Sequence, residues 1–231
     1  MGNNILVIIP ARGGSKGVPR KNLKLLNNVP LINYTIETAR KIFSDKIICV
    51  STDDDEIIEV VEKSGLKVPF KRPASISTDN SSSYEFLLHA LDFYHKEKNY
   101  NPDILILLQP TSPFRSANQI LEALKLYELN DIDMVVSVKK AKSSPYFNLF
   151  EENTLGLLKK SKEHNFTRRQ DTPNVWETNG AIYIINVNSL KSQKSIPYDR
   201  VLKYEMNDFH SHDIDTSFDW SIAEFLVKNK I

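Results

Sequence analysis

The stretch from Ile5 to Asn22, ILVIIPARGGSKGVPRKN, decides which fold to expect of this chain. It begins with five consecutive apolar residues, and a largely β-branched run of that kind, closed by Pro10, predicts a strand buried on both faces. The loop that follows has three glycines within five residues and is rich in Arg and Lys. Free backbone N–H groups beside cations attract polyphosphate. A buried strand followed by such a loop therefore predicts a nucleotide-binding α/β protein.

Neither of the two familiar phosphate-binding motifs is present in this loop. The P-loop pattern G-x-x-x-x-G-K-[ST] fails because Lys16 precedes Gly17, and glycines at 13, 14 and 17 do not fit G-x-G-x-x-G. The alternative to a phosphate site is a flexible surface turn with solvated charges. The cations lie beside the end of a buried strand, which favours a functional loop over that alternative.

Composition limits the class of protein. The 231 residues predict one α/β domain spanning 1–231. Because 30 Lys and Arg nearly balance 29 Asp and Glu, any basic site is local, which disfavours a nucleic-acid-binding protein. No apolar run reaches the ~20 residues that cross a bilayer, and the N-terminus lacks a signal-peptide pattern, so we expect a cytoplasmic protein without membrane contact. The single cysteine, Cys49, excludes an internal disulfide and is expected to be a small buried hydrophobe.

Apolar periodicity after the loop alternates between helices and strands. The spacing of apolar residues from Ile32 to Phe43 predicts an amphipathic helix. Continuous apolar runs predict further strands at 46–51, 103–108 and 134–138. Buried strands that alternate with amphipathic helices indicate an α/β domain with a parallel sheet.

Two polar segments come directly before predicted helices. The first segment contains Arg72, Asp79 and Ser82. Ser82 and Glu85 fit a capping box, but capping does not explain Arg72 and Asp79. The second, QPTSPFR at 109–115, follows the third buried strand, and in open α/β sheets the carboxyl ends of the strands line the ligand crevice. The alternative for the second segment is a proline-rigid turn before its helix.

A pair of carboxylates lies near the C-terminus. Asp213 and Asp215 are two residues apart, so in an extended segment both point to the same side. Paired carboxylates suit Mg²⁺, which usually binds one or two of them together with substrate phosphates and waters. The alternative is that Asp215 or Thr216 merely caps the last helix.

The segment from about Lys139 to Thr178 has no clear periodicity. It is polar and charged, with scattered aromatic residues. A long unpatterned insertion in a compact domain is usually functional or an interaction element.

Six segments of the chain, in this order, resemble the CMP-sialic acid synthetases (acylneuraminate cytidylyltransferases): ARGGSKG-PRKN, RP…D…SS, LLQPTSP-R, RRQ, NGAIYI and DIDT. The resemblance covers nearly the whole chain and is weakest from Lys139 to Glu163. It implies a three-layer α/β nucleotide-binding domain with a largely parallel central sheet. It also implies that the region of about 139–178 is a projecting dimerisation and substrate-covering insert, and hence that the protein is a homodimer.

The activity implied by the resemblance is the joining of CTP to a nonulosonic (sialic-acid-like) sugar acid, giving a CMP-sugar and pyrophosphate. The implied catalytic residues are Arg12, Lys21, Asp213 and Asp215, and the last two are also the implied ligands of Mg²⁺, with Mn²⁺ as an alternative. The implied nucleotide-binding residues are Ala11, Arg12, Gly13, Gly14, Ser15, Lys21, Asn22, Arg72 and Ser82. The implied sugar-binding residues are Gln109, Arg169, Asn179 and Gly180.

The identity of the sugar stays open at this point. Glu177 stands where some sialic-acid-specific relatives carry a basic residue near the sugar, which leaves legionaminic, pseudaminic or Kdo-like acids as alternatives to N-acetylneuraminic acid. A nucleotide-sugar-dependent glycosyltransferase also uses D-x-D on an α/β sheet, but its metal pair normally follows a mid-chain strand. A non-catalytic nucleotide sensor is disfavoured because Arg12, Lys21 and both aspartates are present together.

Overall fold

The computed structural model describes residues 4–163 and 165–229, and its centre is a six-stranded sheet. The strands are β1 (Ile5–Pro10), β2 (Leu25–Leu26), β3 (Val29–Pro30), β4 (Ile48–Ser51), β5 (Ile104–Leu107), β6 (Met134–Lys140), β7 (Phe150–Glu152), β8 (Leu158–Lys160), β9 (Trp176–Asn186) and β10 (Val201–Glu205). The helices are α1 (Leu31–Arg40), α2 (Asp55–Lys63), α3 (Ser83–Lys98), α4 (Ala117–Glu128), α5 (Val187–Gln193) and α6 (Ser217–Lys228).

The central sheet has the order β10-β6-β9-β5-β1-β4. β1 pairs in parallel with β4 and β5, and β10 in parallel with β6, whereas β9 runs antiparallel between β5 and β6. The predicted largely parallel sheet is therefore confirmed, with one antiparallel strand that sequence periodicity did not reveal.

Helices cover both faces of this sheet, as a three-layer α/β fold requires. β1 is buried on both sides: Val7 and Ile9 pack with α1, α2 and α4, while Leu6 and Ile8 pack with α3 and α5. The predicted capping box of Ser82 with Glu85 is present at the start of α3, and Ser116 with Gln119 forms another at the start of α4. Cys49 is buried, as expected, on the face of the sheet that packs with α3 and α5.

The predicted start of β4 was wrong, and the segment from 139 to 178 contains strands that its lack of periodicity did not reveal. β4 begins at Ile48 rather than at residue 46, because Asp45–Ile47 forms a 3₁₀ turn in which the Ser44 hydroxyl oxygen accepts from the N–H of Lys46. The 139–178 segment is not without structure. β6 and β9 extend into it, with Lys140 opposite Trp176, and β7 and β8 form a hairpin between them.

The hairpin and its neighbours expose an unusual amount of apolar surface. Exposed large apolar side chains in this region are Phe147, Leu149, Phe150, Leu155, Leu157, Leu158 and Phe166. Within the described parts of the chain, no helix combines the length and apolar character needed to span a membrane.

Candidate active site

A cleft of about 420 Å³ opens at the carboxyl ends of β1 and β5. Four cationic side chains line it: Arg12, Lys16, Lys21 and Arg72. The strand ends converge here because β1, β4 and β5 are parallel, so the loops that follow them meet at one edge of the sheet. The glycine-rich loop and the QPTSP segment, predicted separately from sequence, therefore form one site.

The glycine-rich loop packs directly against the DIDT segment. A Cβ placed on Gly17 would lie 2.0 Å from the carbonyl oxygen of Asp215, so only glycine allows this approach. The buried Lys21 ammonium donates to the carbonyl of Ile214 and, at 3.1 Å, to Oδ1 of Asp215. The predicted phosphate-binding lysine and the predicted metal pair are thus neighbours in the structure.

Not every residue predicted in the loop faces the cleft. Ser15 and Asn22 line it, with the Asn22 amide donating to the carbonyl of Arg12 at 3.1 Å. Ala11 is fully buried, and its N–H donates to the carbonyl of Ser51. The N–H of Gly13 donates to Asp53 at 3.3 Å. The amides of residues 11 and 13 therefore hold the loop onto β4 and the segment after it. Gly14 lies beside them, exposed, and is not among the residues that line the cleft.

Arg72 forms part of the opposite wall. It is only 4% exposed, its Nε donates to Ser77 Oγ at 2.9 Å, and its guanidinium lies 3.6 Å from Asp53 and 5.4 Å from the centre of the Phe86 ring. Burial lowers the pKa of Arg72, and the Asp53 carboxylate opposes that shift. A fixed cation beside an aromatic ring suits a flat, hydrogen-bonding base.

Ser82 does not line the cleft, although it was predicted to bind nucleotide. Its N–H and hydroxyl donate to the Glu85 carboxylate at 2.7 and 3.1 Å, so capping occupies the side chain. Its neighbours Ser81 and Ser83 do line the cleft.

The QPTSP loop is held from beneath by Arg115, a buried residue to which the sequence assigned no role. One guanidinium nitrogen donates to the carbonyls of Gln109 and Ser112 and to Thr35 Oγ1 on α1. The other two nitrogens, Nε and Nη1, are buried without a hydrogen-bond partner among the described residues. Burial lowers the pKa of Arg115 to about 9, and the Asp213 charge acts in the opposite direction.

The two aspartates of the DIDT segment differ in environment. Asp213 is half-buried and 3.5 Å from the Ser112 hydroxyl, and burial raises the pKa of its carboxyl group. Asp215 is exposed and contacts Lys21. The start of α6 is capped by Thr216 with Asp219, so neither Asp213 nor Asp215 serves as the cap. The capping alternative is therefore confirmed for Thr216 and wrong for Asp215, so capping does not account for the two aspartates.

This donor set fits a magnesium ion. Mg²⁺ takes hard oxygen ligands and keeps several for phosphate and water, so a pair of carboxylates facing a phosphate site is a sufficient protein contribution. Residues 4–163 and 165–229 contain no group of three or more His, Cys, Asp or Glu placed to hold a metal.

Gly180 keeps open a space between the QPTSP loop and the DIDT segment. Its φ is +71°, and a Cβ added there would lie 3.4 Å from Gln109 Oε1 and 3.6 Å from both Asp213 Oδ2 and Ser112 Oγ. Its neighbour Asn179 is 3% exposed, with its amide bonded to Ser137, Ser211 and the sulfur of Met206. Asn179 therefore holds the Gly180 backbone in place, whereas its predicted role was direct contact with the sugar.

Arg169 lies outside the cleft, in a separate cavity of about 450 Å³ in the insert. It is exposed, and its guanidinium donates to the carbonyl of Lys142. Glu177 also lies outside the cleft and is 3.6 Å from Lys139. The single chain therefore brings neither residue to the predicted sugar site.

Lys16, Asp79, Phe86 and Thr111 also line the cleft without having been predicted as site residues. Lys16 and Asp79 carried a signal, since each is a charged residue within a motif. Phe86 carried none, because it reads as one more apolar residue of the amphipathic α3.

A doubly covered, mostly parallel sheet with a cationic cleft at its carboxyl edge and a carboxylate pair beside it defines an α/β enzyme of the nucleotide-dependent transferase kind. A family model described as cytidylyltransferase matches residues 6–223. The chain therefore belongs to the cytidylyltransferase family.

Relatives of known name support this placement. The chain is 36% identical over 228 residues to a CMP-N,N'-diacetyllegionaminic acid synthase of Campylobacter jejuni, covering 98% of this chain and 96% of that protein. It is 35% identical to post-translational flagellin modification protein B of Campylobacter coli, covering 99% and 97%. An N-acylneuraminate cytidylyltransferase of Streptococcus agalactiae is 34% identical over 93% of this chain, which spans 51% of that relative's length.

Solved structures agree on the fold. A CMP:2-keto-3-deoxy-manno-octonic acid synthetase solved with CTP superposes with a TM-score of 0.72 at 18% identity, covering 99% of this chain and 100% of that one. A 4-diphosphocytidyl-2C-methyl-D-erythritol synthase from Anaerococcus prevotii gives a TM-score of 0.65 at 12% identity, covering 98% and 99%. No observation here favours the glycosyltransferase alternative.

Proposed function

We propose that this cytidylyltransferase activates a nonulosonic acid with CTP, giving a CMP-sugar and pyrophosphate. The observation that carries the proposal is the meeting, in one cleft, of the glycine-rich cationic loop, Lys21 and Asp215, with Asp213 beside it against Ser112. Family membership supports the cytidylyl donor, and one relative that the chain covers to 96% of its length is, by name, a CMP-N,N'-diacetyllegionaminic acid synthase.

The chemistry is an in-line displacement at the α-phosphate of CTP. The anomeric hydroxyl oxygen of the sugar forms a new bond to phosphorus and loses its proton, while the bond to the bridging oxygen breaks and pyrophosphate leaves. Such a transfer depends on positioning and on neutralising the charge of the phosphoryl oxygens. Arg12 and Lys21 supply cationic charge from the loop, and Arg72 with Phe86 offers a flat recess for the base.

Asp213 and Asp215 would hold Mg²⁺, with Mn²⁺ as an alternative. When bound there, the metal supplies Lewis-acid charge to the phosphate oxygens. The Lys21 ammonium, bonded to Ile214 and Asp215, orients this segment and offsets part of its negative charge. The space above Gly180, bounded by Gln109 and Asp213, is where the reacting end of the sugar acid would lie.

We further propose a homodimer formed through the 139–178 insert. Its exposed apolar side chains are typical of an interface core rather than of a solvated loop. Because Arg169 lies outside the cleft of its own chain, a contact between Arg169 and the sugar carboxylate requires a second copy. A guanidinium suits that task because it binds a carboxylate through two parallel hydrogen bonds.

A substrate panel tests the function. The protein is incubated with Mg²⁺, each of CTP, UTP, ATP and GTP, and N-acetylneuraminic, legionaminic, pseudaminic or Kdo-type acid, and pyrophosphate release is measured. We expect release with CTP and at least one nonulosonic acid. N-acetylneuraminic acid and N,N'-diacetyllegionaminic acid are the two to rank first, given the names of the relatives. Equal rates with UTP, or no release with any sugar acid, would contradict the proposal.

A further inference from the structure

Asp79 binds two of the cations expected to hold phosphate. Its Oδ1 is 2.5 Å from Arg12 Nη1, and its Oδ2 is 2.5 Å from Lys16 Nζ. Asp79 lies in the loop before α3, across the cleft from the glycine-rich loop, and lines the same cleft. In the part of the chain that the structure describes, neither cation has another acidic partner within 4.0 Å.

The Asp79 carboxylate reproduces what a phosphate group offers. A carboxylate and a phosphate can each place two anionic oxygens against separate cations. Charge-assisted hydrogen bonds of this kind form with either group. A polyphosphate at Arg12 and Lys16 would therefore compete with Asp79 for the same N–H donors. Their side chains are 38% and 79% exposed and that of Asp79 is 43% exposed, so these ion pairs are weak and displaceable.

The location of Arg12 and Lys16 assigns these two cations to one end of the nucleotide. Lys21 contacts Asp215 in the DIDT segment, where the proposed transfer to the sugar takes place. Arg12 and Lys16 contact the opposite loop instead. The Arg12–Lys16 end is then left for the phosphates that depart as pyrophosphate.

We propose that Asp79 is an internal competitor for polyphosphate, and that it makes the site discriminate between the triphosphate substrate and a monophosphate product. This inference rests on the proposed function. A ligand with several phosphates displaces Asp79 from both cations, whereas a CMP-sugar, with one phosphate beside Lys21, does not. Asp79 returns to Arg12 and Lys16 once pyrophosphate has left, so the product leaves a cleft whose cations are already neutralised.

The test is Asp79→Asn, which keeps the size of the side chain and removes its charge. Calorimetry measures the dissociation constants of inorganic tripolyphosphate, CTP and CMP for this variant and the unmodified protein. Loss of two exposed ion pairs should tighten tripolyphosphate and CTP by about threefold to tenfold. CMP should change by less than about twofold, because it does not reach these cations.

Asp45→Asn is the matched control. Asp45 is half-exposed and bonded to Arg40, but it lies before β4, at the edge of the sheet opposite the cleft. The Asp45→Asn substitution removes the same charge and one ion pair. All three dissociation constants should stay within about twofold of those of the unmodified protein, since salt screens the lost charge from the cleft.

Four outcomes are distinguishable. Tighter binding of tripolyphosphate and CTP by Asp79→Asn, but not by Asp45→Asn, supports the inference. Weaker CTP with unchanged tripolyphosphate would overturn it, because Asp79 would then be contacting the nucleoside. An equal gain for CMP would overturn it as well. Tighter tripolyphosphate in a protein that releases no pyrophosphate from CTP and any sugar acid supports the competition and refutes only the proposed function.

Discussion

Gly180→Ala is the sharpest test of the sugar site, because one methyl group enters the space between Gln109 and Asp213. The new Cβ would lie 3.4 Å from Gln109 Oε1 and 3.6 Å from Asp213 Oδ2, ordinary contact distances that need no rearrangement of the protein. The methyl group instead occupies volume assigned to the sugar. One extra methyl in a binding site costs about 1–3 kcal/mol, so kcat/KM for the sugar acid should fall roughly 10- to 200-fold.

The same substitution also strains the backbone. With φ at +71°, alanine costs about 1–2 kcal/mol relative to glycine, which lowers Tm by about 2–8 °C in a chain of this size. Gly65→Ala supplies the control, since Gly65 has φ +86° at the end of α2, away from the cleft, and the added Cβ would lie 3.7 Å from the Arg40 guanidinium.

The assays are thermal unfolding and pyrophosphate release at varied sugar and CTP concentrations. Both alanine variants should lose stability to a similar extent. Only Gly180→Ala should lose sugar kcat/KM, with KM for CTP nearly unchanged. If the two variants lose stability alike and both keep sugar kcat/KM, the space above Gly180 is not the sugar site.

Three further predictions concern the metal pair, the buried arginine and the dimer. Asp213→Asn and Asp215→Asn should each abolish most turnover with the fold intact by circular dichroism; near-normal rates for both across a Mg²⁺ titration would place the metal elsewhere. Arg115→Met should lower the free energy of unfolding by about 1–3 kcal/mol in urea, because two loop carbonyls and a hydroxyl lose their donor, and Arg115→Lys should recover part of that loss. Light scattering should give twice the 26.5 kDa chain mass. If Arg169 acts across the interface, co-refolding Arg169→Ala with inactive Asp213→Asn should restore about a quarter of wild-type activity. No recovery of activity would place Arg169 elsewhere.

The sequence was most informative where one local rule decided the structure. The apolar run of β1 had to be buried on both faces, and the capping box of Ser82 with Glu85 fixed the start of α3. The same local signals were silent about β9, whose antiparallel direction depends on which strands it reaches after the insert. Sheet order is set by pairing between distant segments, which periodicity does not encode.

Within the site, the sequence identified three segments that the structure brings to one cleft, because glycine-rich, proline-rigid and acidic motifs can be recognised locally. Only the tertiary structure decided which atoms of those motifs are free. Packing uses the backbone amides of Ala11 and Gly13, the hydroxyl of Ser82 and the side chain of Asn179 for internal hydrogen bonds. A buried polar group must find a partner, and whether that partner is the ligand or the protein depends on neighbours that are distant in sequence.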